Sequence, residues 1–339
     1  MSKTAFVLGA SGQVGTAVIP ALLRDGWQVL AGSRTRREWP ADVEGVVVDR
    51  EDDEALAAAV AGGVDVLVDC VAYSETHARQ LVALAGFIGS AIVLSSASVY
   101  ADSLGRTIGE AREPDQFPEF PVPVREGQAR VDPGIQTYST RKAAMEDVLL
   151  DPDSALPVTV LRPGAISGPE SVHPRELWFV KRALDRRPVQ LLNWGGRSQF
   201  HTSSTANIAE LVRLAAVQPG HRVLNAVDPE APTTAQIGAA VNRILDHHPT
   251  EFLIAGASSL GDTPWSVPKP FVMDMSAAAR YLGYAPVGSY VDGLPETVDW
   301  MVRTLGTRDW KSVFPVFLHA NGLEAFDYVA EDAWVSSRG

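Results

Sequence analysis

Tyr138 and Lys142 lie at i and i+4 in Tyr138-Ser-Thr-Arg-Lys142, a spacing that puts both side chains on one face of a helix. An ammonium beside a phenol favours the phenolate and draws a tyrosine pKa down from about 10, which makes the pair an acid/base unit near neutrality. The spacing alone also occurs by chance as an amphipathic surface pair. A second group adds weight to it: the apolar run Ala91-Ile-Val-Leu-Ser95 leads straight into Ser96-Ala-Ser98-Val-Tyr100 and delivers hydroxyls to a strand end. Open α/β sheets bind ligands off the carboxyl ends of their strands, so a serine there can hold a substrate oxygen beside Tyr138.

A second constellation is built for a phosphate. Gly9-Ala-Ser11-Gly12-Gln13-Val14-Gly15 separates the first apolar run from the first helical period. Glycine permits a tight turn and a close backbone approach to a pyrophosphate, and the following helix N-terminus offers free N–H groups and a favourable dipole. A glycine triplet alone is equally a plain turn, but strand, turn and helix in this order point to a dinucleotide. At the end of the second strand an acidic residue would bind a ribose and repel a 2′-phosphate. Instead the chain reads Gly32-Ser33-Arg34-Thr-Arg36-Arg37, and guanidinium groups bind phosphate bidentately. This favours NADP(H) over NAD(H), with a solvated basic loop as the alternative. Asp49, closing the third strand, is placed to meet the adenine or to serve as a strand-end turn residue.

These groups need a scaffold that gathers strand ends on one edge. Apolar runs recur at residues 4–8, 27–31, 45–49, 65–69, 91–95 and 158–162, each followed by a helix-like stretch. Continuous rather than alternating hydrophobicity marks strands covered on both faces, hence an α/β fold with a doubly wound parallel sheet of Rossmann type. Val14, Val18, Ala21 and Leu22 give the first helix its period, and Asp25-Gly26 ends it. Past residue 168 prolines and tryptophans break the rhythm. Residues 1–168 are therefore read as the nucleotide-binding domain, with 205–228 returning to it, and 169–339 as mainly a smaller mixed α/β substrate lobe with a C-terminal tail. The segment 101–134, rich in Glu, Pro and Arg, reads as a long ordered loop or lid.

Composition narrows the partners. The 339 residues are 46% hydrophobic and 21% charged, as in ordinary soluble globular proteins. A net charge of −12 opposes binding to nucleic acid or an anionic membrane and leaves a small molecule as the expected partner. The single cysteine, Cys70, cannot form an intramolecular disulfide and fits a reducing cytoplasm. No signal peptide is expected, and no run approaches the about 20 apolar residues that span a bilayer. The seven histidines show no metal-ligand spacing, so no metal site is expected.

Taken in order, Gly9-x-x-Gly12-x-x-Gly15, Ser95-Ser-x-x-Val-Tyr100, Tyr138-x-x-x-Lys142 and Leu161-Arg-Pro-Gly-Ala-Ile-Ser-Gly-Pro169 resemble the extended short-chain dehydrogenases/reductases, also called the NAD-dependent epimerase/dehydratase family. Asp274 to Tyr284 and Leu294 to Trp300 look like that family's late helices. The resemblance implies that Ser96 is the catalytic hydroxyl and Tyr138 the general acid/base. It makes Lys142 the electrostatic partner of the tyrosine and a ribose ligand. Pro163, Gly164 and Ile166 would flank the nicotinamide, and Ala72 would line the cofactor site. A homodimer through the Tyr138 helix and its neighbour would also follow. From the residues themselves, Tyr73 is read as touching substrate or nicotinamide or as a packed loop aromatic, Ser98 as facing substrate, and His201 as orienting substrate in the cleft or as a solvated or structural loop histidine.

Departures from the family pattern bear on the substrate. Where the nucleotide-sugar branch has an asparagine for the substrate diphosphate this chain has Ala165, and where it has an arginine this chain has Phe200. Each charge-assisted bond left unmade costs about 1.5–3 kcal/mol, although Arg175 or Arg197 could compensate. The leading expectation is an NADP(H)-dependent oxidoreductase acting on a carbonyl/alcohol pair. The alternatives are a nucleotide-sugar epimerase or dehydratase with tightly bound NAD(P), and a non-catalytic NADP(H)-sensing regulator.

Overall fold

The computed structural model describes residues 3–322 and 324–338. Its strands are β1 (Thr4–Leu8), β2 (Gln28–Ser33), β3 (Val43–Val47), β4 (Val66–Asp69), β5 (Ala91–Leu94), β6 (Val158–Pro163), β7 (Ala165–Ser167), β8 (Val189–Leu192), β9 (Thr202–Ser204), β10 (Arg222–Ala226) and β11 (Thr250–Leu253). The helices that cover the main sheet are α1 (Gln13–Arg24), α2 (Asp53–Val60), α3 (Glu75–Ala83) and α4 (Tyr138–Leu149). They are followed by α5 (Leu177–Leu184), α6 (Thr205–Val217), α7 (Thr234–Ile244), α8 (Ser276–Leu282) and α9 (Tyr290–Leu305). The tail adds α10 (Trp310–Val313), α11 (Pro315–Asn321) and α12 (Tyr328–Ser336).

Seven strands form one parallel sheet in the order β10-β6-β5-β4-β1-β2-β3. Side chains alternate between its faces, and because both faces are covered the strand centres are apolar on both sides, with polar residues such as Gln28, Asp69 and Arg222 at strand ends. Ala5 and Val7 pack toward Val18 and Leu22 of α1, Ile208 and Leu211 of α6, and Leu282 of α8. Phe6 and Leu8 pack the other way, toward Leu56 of α2, Leu81 of α3 and Met145 and Leu149 of α4. Full burial of each such side chain contributes about 1.5–3 kcal/mol. The expected third strand shifts from 45–49 to 43–47, because the chain turns at Asp49.

The second lobe has its own core, where Trp178 and Phe179 of α5, Ile237 and Val241 of α7 and Val298 and Met301 of α9 meet Trp265 and Trp310. Strand β10 leaves this part of the chain to pair with β6, and α6 lies against α1. Within the 101–134 segment, Tyr100 bridges Arg130 and Val124 bridges Met273, so this stretch is strapped to both lobes. Among the described residues no helix is long and apolar enough to cross a membrane.

Helix α4 carries a buried carboxylate on its sheet-facing side. Glu146 is fully buried and accepts from Arg162 of β6 at 2.9 and 2.6 Å and from Arg130 at 2.8 Å. Together the two cations hold its carboxyl below the usual carboxylate range against the opposing effect of burial. Removing one partner of a buried pair costs about 3–5 kcal/mol, whereas an exposed pair contributes at most about 1 kcal/mol. Urea denaturation of Glu146→Ala is therefore expected to show a loss of about 3–5 kcal/mol. Asp25→Ala, which breaks the solvent-facing Asp25–Arg213 contact between α1 and α6, is expected to lose under about 1 kcal/mol. Similar losses in the two variants would contradict this ranking.

Candidate functional site

The glycine loop leaves β1 at Gly9, whose φ of +80° is a left-handed conformation suited to glycine. Gly15 is constrained differently: a Cβ there would stand 2.4 Å from the Gly9 carbonyl oxygen and 2.6 Å from the Ala10 Cα. The helix thus starts directly on the loop. Gly12 caps α1 with no side-chain hydrogen bond, so the N-terminal N–H groups are not covered by a capping side chain. Ser11 is half-buried and Val14 packs into the core beneath. Gln13 donates to the Gly168 carbonyl at 3.1 Å, which ties the loop to the turn after β7. Such a cradle fits the pyrophosphate of a dinucleotide.

At the end of β2, Ser33 is buried and donates to the Thr35 carbonyl at 2.9 Å, turning the chain outward. Arg34, Arg36 and Arg37 are exposed, and no hydrogen bond, ion pair or ring contact is found for their side chains among the described residues. Asp49 does not reach toward them. It is exposed beyond the end of β3, and its carboxylate accepts the Glu51 N–H at 3.1 Å. The Glu51 N–H contact gives Asp49 the turn role, and its exposed place past the strand end leaves the adenine contact as an expectation.

Off the ends of β4 and β5 the remaining groups converge. Thr137 caps α4 through the Thr140 N–H at 3.2 Å, so the helix begins at Tyr138 itself. Lys142, one turn on, is 3% exposed and donates to the carbonyls of Ala72 at 2.5 Å and Leu94 at 2.8 Å. Its ammonium stands 4.8 Å from the Tyr73 ring and 5.6 Å from the Tyr138 ring, and those rings are 6.2 Å apart. Tyr138 and Tyr73 are 39% and 50% exposed at the mouth of the site. Ser96 begins a short turn by accepting the Ser98 N–H at 3.1 Å.

The electrostatics correct one expectation. Desolvation pushes the Tyr138 phenol up to about 12, against the lowering effect of a hydrogen bond with Ser96, so without cofactor it is a proton donor at neutral pH and not a ready phenolate. Lys142 does not aim at the phenolic oxygen because two strand-end carbonyls already hold its ammonium. Burial lowers its pKa to about 8, with the nearby Asp69 carboxylate acting in the opposite direction. Asp69 is itself fully buried and paired with Arg50 at 2.9 Å.

Pro163 closes β6, and Gly164 is hemmed in, since a Cβ there would lie 2.4 Å from the His201 carbonyl. Ile166 lies in β7, half-buried against the main core. Ser98 is buried below the 107–109 segment. His201 takes the structural one of its two readings. It is 3% exposed, its Nδ1 accepts the Met273 N–H at 3.0 Å, and its Nε2 donates to the Asp228 carbonyl at 2.9 Å. Both ring nitrogens serve the backbone, so His201 is a strap and not a substrate-facing group. Arg175 packs against the rings of Phe200 and Trp265 at 5.6 and 5.8 Å.

Sequence reasoning missed Glu146, Arg162 and the Arg50–Asp69 pair. A signal existed for the first: Glu146 follows Tyr138 and Lys142 at the same four-residue interval, on the same helix face.

Burial holds the His201 pKa at about 4, below the ordinary 6.5. The unfolded imidazole takes up its proton first, so this contribution to stability is complete above pH 6.5 and is lost as pH falls toward 4. The loss is roughly 3 kcal/mol. Urea denaturation across that window is expected to show this decline, and His201→Gln, though less stable at neutral pH, to show a shallower one. His173, also lowered to about 4, accounts for a remaining slope. An unchanged slope in His201→Gln would contradict the assignment.

Residues 9–177 match the NAD(P)H-binding family model. No curated protein matches the chain in sequence. Several solved structures share its fold. UDP-N-acetylglucosamine 4-epimerase from Bacillus cereus superposes with a TM-score of 0.67 at 18% identity, covering 88% of this chain and 99% of its own. The dTDP-glucose 4,6-dehydratase of Bacillus anthracis, solved with NAD, gives 0.68 at 16% identity, covering 92% and 100%. UDP-glucuronic acid 4-epimerase from Bacillus cereus, solved with UDP-glucuronic acid and NAD, gives 0.63 at 16% identity, covering 88% and 99%.

Proposed function

We propose that this chain, whose residues 9–177 match the NAD(P)H-binding family model and whose fold is that of epimerases and dehydratases, is an NADP(H)-dependent oxidoreductase of the extended short-chain dehydrogenase/reductase type that interconverts a carbonyl and an alcohol with Tyr138 as acid/base. The observation that carries the reading is the convergence of Ser96, Tyr138 and buried Lys142 off the ends of β4 and β5, beside a glycine cradle. In this reading residues 1–168 with 205–228 hold the cofactor, and 169–339 close the substrate side.

When bound, the cofactor supplies or accepts hydride at nicotinamide C4. The glycine loop and α1 would hold its pyrophosphate, and Arg34 and Arg37 its 2′-phosphate, since no carboxylate among the described residues competes for their guanidinium groups. In reduction Ser96 holds the substrate carbonyl oxygen and Tyr138 gives that oxygen a proton as hydride reaches the carbonyl carbon. The new O–H bond takes its proton from Tyr138, the new C–H bond would take its hydride from the bound cofactor, and the alcohol leaves. Lys142, held by two backbone carbonyls 5.6 Å from the Tyr138 ring, would supply positive charge near the phenolate left behind without bonding to it. The fold neighbours named as epimerases and dehydratases motivate the second reading, a nucleotide-sugar epimerase or dehydratase, which would turn over without net consumption of NADPH.

Substituting Arg34 and Arg37 together by alanine is expected to weaken NADPH binding by about a hundredfold and leave NADH binding unchanged, as measured by calorimetry. Equal weakening of both cofactors would refute the 2′-phosphate role. Tyr138→Phe is expected to keep NADPH affinity and lose about 10²–10⁴ in kcat for carbonyl reduction. The wild-type kcat is expected to hold level through neutral pH and to fall as pH rises through about 8, where Lys142 loses its charge. Steady-state assays showing turnover of UDP-sugars with no net change in NADPH would support the second reading instead.

A further inference from the structure

Arg50, Arg162 and Arg182 are deeply buried, and each has a carboxylate oxygen beside it, on Asp69 at 2.9 Å, Glu146 at 2.6 Å and Glu331 at 2.5 Å. A desolvated charge requires such a partner. Arg175 is placed differently. It stands just before α5, at the start of the second lobe, with its guanidinium carbon 5.6 Å from the Phe200 ring and 5.8 Å from the Trp265 ring. No hydrogen bond or ion pair is found for that guanidinium among the described residues. Burial pulls its pKa below the ordinary arginine value, with Glu176 and Tyr290 acting in the opposite direction. Aromatic faces attract a cation, but they leave its N–H donors without acceptors. Arg175 is only half-buried, and none of its nitrogens is among the polar atoms sealed from solvent without a partner, so an incoming group can reach them.

The adjacent carboxylate does not fill the gap. Glu176 is 2% exposed, and its Oε1 accepts the Ser167 hydroxyl at 2.6 Å and the Tyr290 hydroxyl at 2.9 Å. His173, beside Arg175, is neutral at neutral pH because burial and that guanidinium lower its pKa to about 4. With Glu176 so close, each negative charge beyond the first is repelled, which favours one carboxylate over a diphosphate. The planar fork of a guanidinium matches a carboxylate with two parallel bonds.

Two lines of contact place this group. Phe200 packs against the second-lobe core and also against the cluster of Ala97, Tyr100 and Phe271, and Ala97 follows Ser96. On the other side Ser167 holds Glu176, and the next residue, Gly168, accepts from Gln13 of the glycine loop at 3.1 Å. Arg175 thus sits at the junction of the lobes, one ring removed from the Ser96 turn.

We propose that Arg175 is an anion-binding residue at this junction and takes the single carboxylate of a small ligand that enters between the lobes. Resting on the reductase reading, that ligand is an oxo acid; the anion site itself does not depend on it. In that reaction the ketone carbon gains hydride from NADPH, its oxygen gains a proton from Tyr138, and the carboxylate stays unchanged on Arg175. The full chain loaded with NADP⁺ is titrated calorimetrically with benzoate, with benzamide as its neutral counterpart, and with inorganic phosphate and UDP as anions of higher charge. Arg175→Met keeps an apolar stem against the two rings and removes the charge, whereas Arg175→Lys keeps the charge and removes the fork. NADPH oxidation by benzoylformate and by acetophenone is followed in parallel.

Benzoate is expected to bind about tenfold or more tightly than benzamide, phosphate or UDP. Arg175→Met is expected to abolish that preference and Arg175→Lys to reduce it about threefold. The ratio of kcat/KM for benzoylformate over acetophenone is expected to fall about tenfold in Arg175→Met. No benzoate binding, equal binding of benzoate and benzamide, benzoate binding indifferent to both substitutions, or tighter binding of phosphate or UDP would overturn the inference. If Arg175→Met does not fold, the benzamide comparison and Arg175→Lys decide it. Benzoate binding that depends on Arg175 without turnover of either ketone would uphold the anion site and refute the reductase reading. Turnover whose ratio is indifferent to Arg175→Met would uphold the reductase reading and refute the anion site.

Discussion

The grip of Arg162 on Glu146 fixes the register of α4, and the site depends on that register. A carboxylate buried under a helix must be paired, and Arg162 of β6 reaches it with two nitrogens while Arg130 closes over its other side. One turn earlier on the same face, Lys142 comes to rest under the ends of β4 and β5, where two carbonyls take its ammonium. One turn earlier again, Tyr138 emerges at the mouth. The three residues form one row along a helix: a buried anchor, a buried cation and an accessible phenol.

That row explains why Tyr138 stays protonated. The lysine that would lower its pKa is committed to the backbone, while desolvation raises it. The acid/base pair is therefore biased toward donating a proton, which suits reduction of a carbonyl. Electrostatics also work locally at the other end of the sheet. A chain of net charge −12 leaves three guanidinium groups at the end of β2 without carboxylate partners among the described residues, although it has acids to spare. Global charge sets which macromolecules are repelled, and local pairing sets where a small anion can sit.

Much of the scaffold was legible in the sequence because parallel strands buried on both faces leave continuous apolar runs, and because Gly9 and Gly15 occupy places that other residues would strain or fill. Ser96, Tyr138 and Lys142 were legible as types and spacings. What the sequence could not show was direction. The carbonyls that capture Lys142 come from Ala72 and Leu94, far away along the chain. His201 could be read as a cleft group or a structural one, and the β9 neighbourhood decides for the second by burying it between Met273 and Asp228. Asp49 lies two residues past the end of β3, further along than the apolar run suggested. Where the local pattern left a side chain's direction open, a partner distant in sequence decides it.

The central claim is that α4 holds Tyr138 as a protonated donor in the free protein. Ultraviolet difference titration of wild type against Tyr138→Phe, without cofactor, measures this directly. The account predicts that the Tyr138 phenolate is absent through neutral pH and forms only toward about 12. A phenolate signal that titrates near neutrality in the free protein would contradict it.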